Sequence, residues 1–204
     1  MFAAFVLLQN APSAKTPAVF AALLPMFLFL VVILFAIGIY NRMVRARMRT
    51  REAWSGIDVQ LKRRSSLIPN LVETVRGYAT HEHEVFAEVA QARGAMAKAA
   101  GPADSAAADQ FLTQALGRLM AVAENYPQLK AAANFAQLQT ELEDTEEKIA
   151  YARQFYNQNA LDYNTRIQTF PGNIYAAAFR FEPVTFFTAE PAATHEVPVS
   201  FAKA

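Results

Sequence analysis

Apolar positions along the chain follow two patterns. Val19 to Tyr40 is a continuous run, VFAALLPMFLFLVVILFAIGIY, 22 residues without a charge. At 1.5 Å per residue a helix of that length covers roughly 30 Å, the thickness of a bilayer's hydrocarbon core. From Trp54 onward the apolar positions instead recur at three- and four-residue steps, the repeat of an amphipathic helix. Trp54, Ile57, Leu61, Ile68, Val72, Val75 and Tyr78 form a first stripe, with a polar gap at Arg64 and Ser65. Val85, Val89, Ala92 and Met96 form a second, and Leu112, Leu116, Leu119, Ala123 and Tyr126 a third. The fourth runs through Phe135, Leu138, Leu142, Thr145, Ile149, Ala152, Tyr156, Ala160, Tyr163, Ile167 and Phe170. An extra four-residue step near Tyr156 would locally unwind a supercoil there.

Turn chemistry sets the boundaries. Gly101-Pro102 breaks the second stripe from the third, with Asp104 or Ser105 as the expected N-cap, and Pro127 ends the third. Pro69 removes the N–H that would bond the Ser65 carbonyl, yet the apolar spacing passes through it in phase, which predicts a kink. Pro25 marks a kink or the true start of the apolar helix. These elements predict an all-α chain: a transmembrane helix at 19–40 and an elongated antiparallel four-helix bundle at 41–170. The fourth helix alone should reach about 50 Å. Residues 1–18 read as a short arm, extended or interfacial, with too few apolar residues to span a bilayer. Residues 171–204 read as a tail holding four of the ten prolines. That tail also carries Tyr175, Phe179, Phe181, Phe186, Phe187 and Phe201, whereas disordered tails are poor in aromatics. The rings are expected to dock on the bundle, on a neighbouring copy or at the bilayer interface, with about the last twelve residues mobile.

Charge adds an orientation. The net charge is +1, but the chain up to Arg51 carries +6 with no acid, and the remainder −5. Arg42, Arg45, Arg47, Arg49 and Arg51 follow the apolar run directly, against Lys15 alone before it. Such an asymmetry places the C-terminal side in the cytoplasm and the N-terminus outside, in a single-pass arrangement in the cell's inner membrane. The arginines would meet anionic lipid headgroups, worth about 1 kcal/mol each near the surface. A secretory leader fits poorly: the run is too long, its leading flank is barely basic, and arginines follow it. Basic residues beside an apolar span, with an acidic body beyond, do not make a nucleic-acid-binding domain.

Candidate chemistry is sparse. The sequence has no Cys, which removes disulfides, thiolate zinc sites and a thiol nucleophile, and only 7 Gly, which disfavours a phosphate-cradling loop. Glu-x-x-His, His-Glu-x-x-His, Gly-Lys-Ser/Thr, Gly-x-Gly-x-x-Gly and Gly-x-Ser-x-Gly do not occur. His81-Glu82-His83-Glu84 reads as a helix start after Thr80, with Glu82 and Glu84 near the positive end of the dipole, rather than as a metal site, because two His at i, i+2 on a helix diverge by about 200°. His195 stands alone. No catalytic residue, cofactor or metal is expected. Glu141, Glu143, Asp144, Glu146 and Glu147 read as a solvated helix face or a surface for a cation or basic partner. Asp58, Gln60, Lys62, Arg63, Arg64, Asn70, Glu73 and Arg76 form a polar set around Pro69. Its three consecutive basic residues either pair with the acids of the fourth helix or belong to a partner-binding face.

Several segments carry a family likeness. Glu52-Ala53-Trp54, Ile57 to Arg64, Leu67 to Val75 and Gly77 to Glu82 resemble the signature of the LemA family. So do Gly117-Arg118-Leu119, Glu124 to Lys130, Asn134-Phe135, Leu138-Gln139, Glu141-Leu142, Tyr156-Asn157, Tyr163-Asn164, Phe170-Pro171 and the Pro-Val-Thr-Phe-Phe segment near residue 185. Ser66 departs from the family's usual acidic residue, and the arm before Val19 is longer than usual. The resemblance implies a bacterial single-pass membrane protein with a cytoplasmic antiparallel helical bundle and no established reaction. Likeness to a protein of magnetosome membranes implies a scaffold or membrane-organising role by analogy. Expected partners are membrane lipids, further copies of the chain and another membrane protein; the competing reading is an accessory subunit of a membrane peptidase or other envelope complex.

Overall fold

The computed structural model describes residues 15–188, which form an all-α structure. Helix α1 spans Lys15–Arg76, α2 His83–Lys98, α3 Gly101–Glu124, α4 the single turn Pro127–Lys130, α5 Ala133–Gln168 and α6 Gly172–Phe179. An apolar N-terminal helix thus leads into a multi-helix bundle, but the expected count of four helices is too low, since α4 and α6 add to it. Residues 1–14 of the arm, and Phe201, His195 and the last twelve residues of the tail, lie outside the described residues.

The apolar run and the first amphipathic stripe belong to one helix of 62 residues, about 93 Å long. Neither Pro25 nor Pro69 ends it; both lie inside α1. Side chains from Leu23 to Phe35 are all exposed, so none of the described residues covers this part. It is long and apolar enough to cross a membrane, with a mean hydropathy of 2.8 over its most apolar window.

Beyond the apolar run, α5 packs antiparallel along α1, and the core divides into three patches. Met43 and Ala46 meet Tyr163 and Ile167 at the end nearest the span. Ala53, Ile57 and Leu61 meet Ile149, Tyr156 and Ala160 in the middle. Ile68, Leu71 and Val75 close the far end with Val89, Leu112, Leu119 and Phe135, where the α2–α3 hairpin completes the bundle. A fully buried Leu or Ile contributes roughly 1.5–3 kcal/mol, so each patch is a substantial clamp on the hairpin.

The seam of α5 from Phe135 to Ile167 faces inward, with Leu138 and Ala152 half-buried. Its expected last member, Phe170, is 80% exposed because α5 ends at Gln168. Tyr78 is likewise exposed, two residues past the end of α1, while Leu71, absent from the stripe as read, is fully buried. Helix α3 starts earlier than either expected cap. Gly101 opens it at φ +84°, a left-handed conformation that glycine adopts without a steric penalty, and Pro102 fits the first turn. Asp104 lies in that first turn and Ser105 is buried. Helix α2 begins at His83 with Glu82 as N-cap and no side-chain capping bond; Glu84 sits in its first turn. Helix α6 lies where the sequence suggested only a tail. Gly172 permits it: a Cβ there would collide with the Arg166 carbonyl oxygen, so only glycine lets α6 fold back this closely on α5.

Candidate functional site

Three arrangements stand out along the α1–α5 hairpin. The first fills the polar gap of the first stripe. Arg64 sits on the buried face of α1, and its side chain is only 6% exposed. Nη1 donates to Asp109 Oδ1 of α3 at 2.9 Å, and Nη2 lies 2.7 Å from Glu146 Oε2 of α5. Burial raises the Asp109 carboxyl above its ordinary range, and the Arg64 charge pulls it part of the way back. Arg64 Nε and, one turn earlier, Gln60 Oε1 are buried without hydrogen-bond partners. One guanidinium therefore ties three helices together at mid-bundle.

The second arrangement is the C-terminal strap, residues 181–188, which runs back along α5 in extended form. Asn164 donates through Nδ2 to the Val184 carbonyl at 2.8 Å and accepts the Val184 N–H at 2.9 Å. Asn157 repeats this with Phe187, at 3.0 and 2.8 Å. The Tyr163 and Tyr156 hydroxyls donate to the carbonyls of Glu182 and Thr185 at 2.8 and 2.7 Å. The spacing explains the match. Seven residues of helix rise about 10.5 Å, and three residues of extended chain about 10 Å, so a Tyr-Asn pair every heptad meets the strap every third residue. Burial raises both phenol pKa values, which keeps the hydroxyls protonated as donors. Side chains add anchors: Phe187 is buried between Trp54 and the Arg153 guanidinium, whose carbon lies 5.1 Å from the ring centre. Phe181 lies under Arg47 and edge-on to Tyr40. Two of the tail's rings thus dock in cis, on the same bundle.

The third arrangement is an open groove of about 730 Å³ on another side of the hairpin. Glu52, Gly56 and Gln60 of α1 and Glu147, Tyr151 and Phe155 of α5 line it. Tyr151 is 73% exposed there.

The structure disperses the polar set read around Pro69. Lys62 pairs with Asp58 on its own helix at 2.6 Å, Arg63 with Asp144 of α5 at 3.2 Å, and Arg64 is buried. Gln60 borders the groove, Asn70 and Glu73 are exposed on the far half of α1, and Arg76 lies over the Phe86 ring. Two of the three consecutive basic residues therefore meet α5 acids, Asp144 and Glu146, and these eight positions do not share one face. Arg42, Arg45, Arg47, Arg49 and Arg51 are all exposed on α1 just after the apolar stretch. Asn157 and Asn164 escaped the sequence reading as strap-binding residues; their signal was the paired Tyr-Asn repeat seven residues apart.

Among the described residues no group of three or more His, Asp or Glu side chains could hold a metal ion. Comparison with known proteins supplies the identity. Two proteins of Paramagnetospirillum magneticum, Magnetosome protein MamQ 1 and MamQ 2, are each 31% identical to this chain over 179 residues, covering 75% of it and 66% of their own length. The chain thus spans just under two thirds of these relatives. Protein LemA of Metamycoplasma hominis is 26% identical over 174 residues, covering 80% of this chain and 78% of its own length. Residues 53–201 match the LemA family, the whole strap and the α1–α5 contact beyond the arginines included, and the chain belongs to that family.

Proposed function

We propose that the chain is a non-enzymatic, membrane-anchored scaffold that holds its helical bundle at the cytoplasmic face of the inner membrane and organises other molecules there. The observation that carries this reading is the continuity of α1. One helix runs from the apolar span into the bundle with no linker, and 36 of its residues follow Tyr40, about 54 Å of rod. An unbroken helix passes the orientation of the span to the whole bundle, which suits a protein that positions partners relative to a membrane. The relatives that are magnetosome proteins support a membrane-organising role.

A second reading, an adaptor for a membrane peptidase or another envelope complex, draws on the open groove with its exposed Tyr151 and Phe155. Aromatic side chains in an uncovered groove are what a protein partner commonly buries. Native mass measurement of the particle extracted in mild detergent separates the two. Multiples of the chain mass, 22.6 kDa, support the scaffold; a stoichiometric second protein supports the adaptor, and a bare monomer contradicts both.

Topology is tested separately. Replacing Arg42, Arg45, Arg47, Arg49 and Arg51 by Gln removes about 1 kcal/mol of headgroup attraction per residue and the charge bias that sets orientation. The expected outcome is a mixed population, part of which becomes cleavable by protease added outside intact cells. Unchanged protection in this variant would show that the arginines do not orient the chain.

A further inference from the structure

The stretch where the chain turns from α5 into the strap is built unlike the rest of the bundle. Between Ile167 and Arg180 there is no charged residue. Yet Phe170, Ile174 and Phe179 are 80%, 59% and 57% exposed. Three large apolar side chains in water, on a segment with no charge to offset them, form an unfavourable surface for a soluble domain.

Their position explains them. The buried side of α6 packs through Ala176 on Met43, beside Ile39 and Tyr175, in the core patch nearest the span. The Phe179 ring meets Tyr40, the last residue of the uncharged run, edge-on at 5.0 Å. The chain descends along α5, turns through α6 at this level, and climbs back as the strap, whose Glu182 carbonyl already reaches Tyr163. Helix α6 therefore sits beside the last turn of the apolar span, and its exposed apolar side chains continue that surface.

We infer that Phe170–Phe179 is a second membrane contact, an element that rests in the boundary between headgroups and acyl chains of the leaflet where α1 leaves the bilayer. This rests on the reading of α1 as a membrane span. An apolar helix face held at that depth inserts about 5–10 Å, and Arg180 and Arg42, one residue after Phe179 and two after Tyr40, supply cations for the headgroup phosphates. Membrane contact at α6 gives the hairpin two points of attachment instead of one, so the rod cannot swivel about the span. It also draws the start of the strap to the membrane surface.

The absence of cysteine makes the test direct, because single cysteines can be introduced into the full chain without removing others. Nitroxide labels are placed at Phe170→Cys, Ile174→Cys and Phe179→Cys, with Leu30→Cys inside the span and Tyr151→Cys on the bundle as references. The protein is reconstituted in phosphatidylethanolamine–phosphatidylglycerol vesicles, and collision with oxygen is compared with collision with a water-soluble nickel complex by power saturation. The expected result is an oxygen-to-nickel ratio at 170, 174 and 179 several-fold above that at 151, approaching that at 30. A deep label at 30 with ratios at 170, 174 and 179 no different from 151 would overturn the inference while leaving the anchor intact. A water-accessible label at 30 would overturn the anchor and the inference with it.

Discussion

Phe187→Ala is expected to free the strap and to cost the bundle about 3–5 kcal/mol, the usual range for deleting a fully buried phenyl ring. The ring is 1% exposed, held between Trp54 and Arg153, and shares the middle core patch with Ile57 and Tyr156. At the size of this chain such a loss lowers the unfolding midpoint on the order of 10 °C. Hydrogen exchange gives the sharper readout. Among the described residues, the amides of Val184 and Phe187 bond to the side chains of Asn164 and Asn157 and to no backbone acceptor. They should lose protection in Phe187→Ala while α2 and α3 keep theirs. Asn164→Asp should have a related, smaller effect, about 1–3 kcal/mol, because a carboxylate still accepts the Val184 N–H but cannot donate to its carbonyl. Protection at both amides that survives Phe187→Ala would mean the ring does not hold the strap in place.

Arg64→Met is the second large loss. It leaves the Asp109 carboxylate buried without its cation, and breaking a buried pair from one side costs about 3–5 kcal/mol. The pH dependence carries a sign. Burial raises Asp109 in the folded state above its ordinary 3.8, and removing Arg64 raises it further. Between 3.8 and the raised value the folded state therefore binds more protons than the unfolded one, so stability contributed by this group increases as pH falls through the folded value. The gap between Arg64→Met and the parent should thus narrow on acidification and be widest at neutral pH. Arg64→Met with Asp109→Leu should recover most of the loss, since no charge remains buried there. Denaturant titration of the detergent-extracted protein at several pH values measures both. A loss in the single variant of the size seen for exposed ion pairs, with no pH trend, would show that Arg64 is not the buried tie.

Three- and four-residue apolar steps located every long helix, because burying a stripe along a neighbour demands that period whatever the partner is. The same arithmetic failed at its ends. Tyr78 and Phe170 are in phase with stripes whose helices have already stopped, and phase says nothing about where a backbone leaves helical geometry. Arg64 read as a gap because a polar residue in a stripe looks solvent-facing. Only the fold brings Asp109, 45 residues later, and Glu146 to the same point. The polar set around Pro69 looked like one patch because its members are close in sequence. On a helix, neighbours in sequence point in different directions, and the structure sends them to a salt bridge, a groove and a buried cluster.

The strap and α6 show the same division. Composition alone marked the tail as aromatic and in need of a docking place, since rings left in water carry a cost that a disordered segment rarely bears. It could not choose among the bundle, a second copy and the membrane, because that choice depends on which surfaces lie within reach. Phe181 and Phe187 turn inward because the Tyr-Asn pairs of α5 present a matching ladder, whereas Phe170, Ile174 and Phe179 stay outside beside the apolar span. The amino-acid order by itself determined the local facts: an uncharged run long enough for a bilayer, an arginine collar after it, and helices of set phase. Tertiary structure alone decided which polar groups share a site and which apolar ones remain uncovered, because both depend on contacts between residues far apart along the chain.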